Sequence, residues 1–440
     1  MVILRQGRVR IVVALCVALV ALISLNLTGC GGGKQEAAPS SGQAEPIVMG
    51  VVTALGSSEG RDGLRAVQLA AEEINAKGGV SVGGTKRPIE IVSIDTREHE
   101  AGVPVHDALA ALEKLITEKK PHVIVSGAFR SEVLLASMDL IPKYKIPYII
   151  NIAKSTKFEE KVLSEPDKGK YFFRLASNSA HTAQYMSGLL DQIKQQFGFD
   201  RAYLVIQDTL WAQGTGKAVE SKLKEQGWTV VGYDAYPVGA SDFSASLSKA
   251  MQGKAQVIVP VFDMPQCAIL VKQARAMKVP ALIVGRLAPL VPQEAWDVFE
   301  GQIEGVVCSV DDYGAVPVKA IPKSLAFVES FAKKYGQDQA RKLIDHGVGA
   351  SYDAVYLVSA AIERAGSLDP DAIVAELEKM EMEGTVGKIK FGKDHQAIYA
   401  MDPKEGALAG AFQWKAPGVR VPVFPPAVAE GQIELPSYMK

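Results

Sequence analysis

Cysteine is scarce in this chain: four residues among 440, two of them within the first thirty. A dense disulfide framework is therefore excluded as the basis of the fold. Cys267 and Cys308 are the only thiols in the body of the chain. They form either one bridge or two small apolar side chains. Histidine is as sparse, with six residues dispersed along the sequence, and His99 and His106 are too far apart for an i, i+4 ligand pair. There is no H-E-x-x-H, no paired C-x-x-C and no G-x-S-x-G, so neither a metal centre nor a cofactor is expected. Nothing sets a nucleophile beside a base, which points away from an enzyme. Net charge is nearly absent: 48 Lys and Arg stand against 49 Asp and Glu. No basic stripe offers itself to nucleic acid, and no acidic tail suggests disorder. Gly214-Thr-Gly-Lys217 lacks the spacing of a phosphate loop and has Ala218 where a magnesium-binding hydroxyl belongs.

Long apolar runs are missing as well, except at the start. Residues 1–10 carry Arg5, Arg8 and Arg10, and residues 11–25 are almost continuously apolar. That run is short and wrongly flanked for a membrane span and reads as a secretory signal. Leu27-Thr28-Gly29-Cys30 closes it. This tetrad resembles a bacterial lipobox, which implies signal removal after residue 29 and a lipid on Cys30. Residues 31–46, GGGKQEAAPSSGQAEP, have almost nothing to bury and read as a flexible tether. The expectation is an extracytoplasmic protein anchored to a membrane by its N-terminal lipid, with signal peptide 1–29 and lipidated tether 30–46.

The remaining chain is too long for one ordinary core and fits two lobes. Short β-branched runs alternate with amphipathic helical patterns. Residues 47–52 read as a strand, then Leu64, Val67, Ala71 and Ile74 mark one helical face. Further strands are expected at 89–94, 123–126 and 148–152, with helices at 105–118 and 132–144. The alternation resumes at 202–206, 229–233, 257–261, 282–284 and 305–310, after a break near 171–177. Such alternation implies an α/β fold of doubly wound parallel sheets. In open α/β sheets ligands sit beyond the carboxyl ends of the strands. Function is therefore expected in loops 53–63, 127–132, 152–156, 208–214, 262–266 and 285–290.

Several segments are recognisable in order. Ile47-Val-Met-Gly-Val and the helix ending Ala-Glu-Glu-Ile-Asn-Ala-Lys-Gly-Gly at Gly79 come first. Lys145-Ile-Pro-Tyr-Ile-Ile, Ser241-Asp-Phe-Ser-Ala-Ser-Leu and Lys272-Gln-Ala-Arg follow. Ser351-Tyr-Asp-Ala-Val-Tyr, Ala361-Ile-Glu-Arg-Ala-Gly, Thr385-Val-Gly-Lys-Ile-Lys-Phe and the tail with Phe412-Gln-Trp complete the series. Together they resemble the branched-chain amino-acid binding proteins of ABC importers, the Leu/Ile/Val-binding family. The resemblance implies a Venus-flytrap fold: two lobes joined by a three-strand hinge, type I among periplasmic binding proteins. Lobe one would take 47–174 plus 311–386, and lobe two 175–310 plus 387–440. A small carboxylate-bearing solute (an amino acid, amide or related organic acid) would be trapped between them. The partners implied are a membrane permease and its ATPase, with the binding protein itself a monomer. The same fold also serves as the ligand-binding sensor subunit of a signalling receptor.

In the family, a Ser after the third strand and a small-small-Thr triplet after the fourth hold the ligand carboxylate. Ser131 occupies the first position, at the apparent N-cap of helix 132–144; an ordinary cap is the alternative. The triplet falls on Ile152-Ala153-Lys154, where Lys154 replaces the Thr. With Arg130 beside Ser131, two cations suggest a ligand with extra negative charge, an internal partner such as Asp263, or side chains turned to solvent. Trp211 stands where the family commonly has Tyr, either stacking on ligand or packed into its lobe. The family's Gly-Pro-Glu becomes Gly285-Arg286-Leu287, so the Glu that pairs with a ligand ammonium is lost. Asp263 is the obvious substitute carboxylate, or else a strand-end turn residue.

Overall fold

The computed structural model describes residues 44–100, 102–264 and 268–439. Cys30, the tether up to residue 43 and Cys267 lie outside the described residues, so the lipidation site and the question of a Cys267–Cys308 bridge do too. Cys308 is buried.

Sixteen strands are described. In the first half they are β1 (Ile47–Thr53), β2 (Val80–Val82), β3 (Thr85–Arg87), β4 (Ile89–Asp95), β5 (Val123–Ser126), β6 (Tyr148–Ile150) and β7 (Phe172–Arg174). Then come β8 (Arg201–Gln207), β9 (Thr229–Tyr236), β10 (Val257–Phe262), β11 (Leu282–Leu287) and β12 (Val307–Val310). The last four are β13 (Met382–Gly384), β14 (Gly387–Ile389), β15 (Gly410–Ala416) and β16 (Val419–Phe424). One sheet runs β4-β1-β5-β6-β7, and a second runs β16-β15-β12-β11-β10-β8-β9. The first is parallel throughout; the second is parallel from β9 to β12 and antiparallel where β15 and β16 join. Strands such as β1 (IVMGVVT) and β10 (VIVPVF) are apolar and buried almost throughout, because helices cover both faces of a parallel sheet. The α/β class with parallel sheets expected from the alternation is the observed fold.

Each sheet has its own core. Around the first, Val51, Ile124, Ile149, Phe172 and Phe173 pack with Val355 and Val358 of helix Val348–Ala365, and with Ile389, Ala397 and Ala407. Around the second, Leu204, Val259, Ile283 and Val307 pack with Phe412, Trp414 and Val423 from the C-terminal strands. The chain passes between the sheets after β7, after β12 and again before β15. The first and last of these passages lie side by side: the Arg174 N–H donates to His395 O (2.9 Å), the Ala397 N–H to Arg174 O (2.8 Å), and the Tyr399 hydroxyl to Leu175 O (3.0 Å).

One expected helix is interrupted. The pattern at 132–144 forms Ser131–Ser137 and, after a break, Ile141–Tyr144. Pro142 cannot donate the backbone bond that a continuous helix requires there. The strand expected at 148–152 stops at Ile150, which frees 151–156 to form a loop at the carboxyl edge of the first sheet.

Candidate functional site

A cavity of about 640 Å³ opens where the carboxyl ends of the two sheets face each other. Every loop flagged from the strand ends reaches it, through Glu59, Ser131, Lys154, Trp211, Asp263 and Arg286. Ile152 and Arg130 line it too, so all six residues expected to touch ligand are brought together. The loop carrying Ile152 is fixed from behind. Arg174 is fully buried, donates through Nη1 to Ala153 O (3.0 Å) and Ser155 O (3.1 Å), bonds Gln396 through Nε (2.6 Å), and pairs with Glu159.

Ser131 is the first residue of its helix rather than the cap. Arg130 takes the cap position, with extended backbone (φ −87°, ψ 145°) and no side-chain capping bond. The reason is the turn before it. The buried carboxylate of Glu98 accepts the N–H groups of Phe129 (3.1 Å) and Arg130 (2.7 Å) and the Thr96 hydroxyl (2.7 Å). The protein thus supplies its own anion to part of the dipole-favoured position. Ser131 Oγ accepts the Ser155 N–H at 3.1 Å, which ties two site loops together. The Arg130 side chain donates to Val103 O (3.1 Å), while its buried Nε has no acceptor among the described residues.

Lys154 does have an internal partner, but it is Asp311 and not Asp263. Nζ pairs with the Asp311 carboxylate, and it lies 5.4 Å from the centre of the Trp211 ring. Lys154 is buried, and a buried ammonium needs a close counter-ion. Asp311 supplies one because it follows β12 directly, at the base of the cleft. Asp263 instead accepts Gln207 Nε2 at 2.7 Å and returns its N–H to Gln207 Oε1 at 3.2 Å.

Arg286 is the residue whose importance the sequence understated. It lies at the end of β11, buried, with Nη1 donating to both carboxylate oxygens of Asp345 (3.0 and 2.8 Å) and Nη2 3.2 Å from Asp311. The Asp311 N–H also donates to Asp345 (2.6 Å). Burial alone would raise the Asp311 carboxyl, yet Arg286 and Lys154 hold it well below the usual carboxylate range. Burial opposes the charge on Arg286 as well, but Asp311 and Asp345 keep it firmly protonated. His346 is next to this network; burial pushes its imidazole down to about 3, so it is neutral at physiological pH. Glu59 and Glu98 were also missed. Both follow strand ends of the first sheet, which was the available signal.

Two sheets, one parallel and one mostly parallel, with a cavity between the carboxyl edges of their parallel strands and paired chain segments passing between them, define a two-lobed binding protein. The profile described as periplasmic binding protein matches residues 47–403, and the chain belongs to that family. Among related sequences, the Leu/Ile/Val-binding protein homolog 7 of Brucella abortus (strain 2308) is 24% identical over 390 residues, spanning 86% of this chain and 90% of the relative. Homolog 8 of the same organism is 24% identical over 381 residues, spanning 83% and 86%. Among solved structures, a putative branched-chain amino acid ABC transporter protein from Silicibacter pomeroyi superposes with a TM-score of 0.76 at 20% identity, covering 90% of this chain and all of the other. The branched-chain amino acid transporter substrate-binding protein LivJ from Streptococcus pneumoniae, solved with isoleucine, gives 0.66 at 21% identity, covering 85% and 97%. These structural likenesses establish the fold.

Proposed function

We propose that this protein is the solute-binding component of an ABC importer, held at the extracytoplasmic face of a membrane by a lipid on Cys30. It works with a permease and an ATPase and captures a small carboxylate-bearing solute by closing the lobe built around the first sheet, whose core includes Ile389, Ala397 and Ala407, onto the lobe built around the second. The observation that carries this reading is the cavity of about 640 Å³ between the carboxyl edges of the sheets, a volume suited to a small organic solute. Ser131 supports a place for the solute carboxylate: it lines the cavity at 7% exposure, and its O–H has no acceptor among the described residues. Family membership and the names of the relatives support the transport role.

The test pairs a thermal-shift screen with solution scattering. Amino acids, amides, dicarboxylates and aromatic acids are screened for a raised melting temperature, which follows from binding to the folded state alone. The compound found should then compact the molecule in small-angle scattering, as hinge closure requires. An unchanged scattering envelope at saturating ligand overturns the closure mechanism.

A further inference from the structure

Beside the cavity, the two lobes touch along one row of contacts. Residues 337–346 lie between helix Pro322–Tyr335 and helix Val348–Ala365, whose Val355 and Val358 belong to the core of the first sheet. Arg65 of helix Ser58–Ala76 donates to Gln339 Oε1 (3.1 Å), which ties the segment to that same side. Facing it is the stretch that follows β11, whose Leu290, Val291 and Ala295 belong to the core of the second sheet. The two stretches run past each other in opposite directions. At the buried end Arg286 meets both carboxylate oxygens of Asp345 (3.0 and 2.8 Å). Next, Ala288 shares an apolar cluster with Leu343 and Ile344. Then the Glu294 N–H donates to Arg341 O (3.1 Å), and Lys342 Nζ lies 4.0 Å from the Glu294 carboxylate. At the exposed end Arg341 pairs with Asp297 at 2.5 Å.

Of these residues only Arg286 lines the cavity. The row therefore joins the lobes through the protein's own groups. Its two ends differ in strength. The inner pair is buried and has the two-bond geometry of a strong charge-assisted contact. The outer pairs are exposed and individually weak, which makes them a fine adjustment on the inner one.

We propose that residues 337–346 form a strap that biases the hinge toward closure, so that a solute supplies only the remainder of the closing free energy. The proposal rests on the reading that capture works by closing the lobes. Opening the cleft along this side parts Arg286 from Asp345 and Arg341 from Asp297, so each pair favours the closed arrangement over the open one. Apparent affinity rises with the fraction of molecules already in the binding-competent arrangement. Residues such as Arg341 and Asp297 thus tune how tightly a solute is held without deciding which solute it is.

The test is hydrogen exchange and small-angle scattering on the full chain without added solute. Two amides along the row report its opening: Glu294, bonded to Arg341 O at the outer end, and Asp311, bonded to Asp345 (2.6 Å) at the inner end. The Arg130 N–H, bonded to Glu98 (2.7 Å), lies within one lobe and is the control. Arg341→Glu combined with Lys342→Glu reverses the exposed charges of the strap. This variant should speed exchange at both row amides by about tenfold, leave Arg130 within about twofold, and enlarge the radius of gyration. Adding Glu294→Lys and Asp297→Lys restores opposite charges and should return all three readings to those of the unsubstituted protein. Faster exchange at Glu294 alone, with Asp311 and the radius unchanged, is local fraying and overturns the strap. A rise at Arg130 as large as at the row amides is general loosening and overturns it too, as does failure of the charge swap to restore closure. Each of these failures leaves solute binding and compaction by solute standing, since both are measured on the unsubstituted protein.

Discussion

Arg286 shows how one position redirects a site. A guanidinium at the end of β11 cannot be buried alone, and Asp345 meets it with both oxygens while Asp311 is shared with Lys154. Removing one partner from such a network leaves a buried charge uncompensated. Asp345→Asn should therefore destabilise the protein by about 3–5 kcal/mol, measured as a lowered denaturation midpoint in urea at unchanged slope. Arg286→Met combined with Asp345→Leu should recover most of that loss, because an apolar pair has no charge to desolvate. A double variant no more stable than Asp345→Asn would assign the cost to packing. The cations of this network were visible in the sequence as departures at 154 and 286. Their partners were not, since Asp311 lies 157 residues from Lys154 and only the crossing of the chain between sheets brings the two together.

At the level of elements, the strand–helix alternation was legible because periods of two and of 3.6 residues leave different apolar patterns. Loop positions followed from it, and so did the place of the cavity. What the patterns did not carry was the fine placing of each loop. Gly347 is an example. It precedes helix Val348–Ala365 with φ of +79°, and a Cβ there would stand 2.8 Å from Ile152 Cγ1 and 2.9 Å from Asn151 O. The close approach sets the height of the 151–154 loop against the loop carrying Asp345 and His346. Gly347→Ala should cost about 1–2 kcal/mol from the left-handed backbone alone, plus the clash, and should weaken solute binding by displacing Ile152. Gly214 is the control. It lies inside helix Leu210–Glu225, exposed, with open space where a Cβ would go. Gly214→Ala should stabilise by up to about 1 kcal/mol. Equal denaturation midpoints for the two variants would refute the contact argument.

For the whole molecule, the near-zero charge and the division into two sheets are of a piece with capture of a small solute rather than a polymer. The folded body has no helix long and apolar enough to cross a membrane among the described residues. The basic start, the short apolar run and Leu27-Thr28-Gly29-Cys30 place one nucleophilic thiol where a lipid would be added. Residues 31–46 are rich in Gly, Ser and small polar side chains, the composition of a flexible spacer. On the proposed reading, such a spacer would let a body that closes around solute reach a permease while tied to the bilayer. A single acyl chain binds a membrane only weakly, so stable attachment through Cys30 would need more than one chain. Cys30→Ser should leave an unlipidated, uncleaved precursor, seen as a heavier band that no longer takes up labelled fatty acid. Solute binding by the purified body should be unchanged, since residue 30 is separated from β1 by the whole tether. A Cys30→Ser variant still processed and still labelled would remove the lipid anchor from the mechanism.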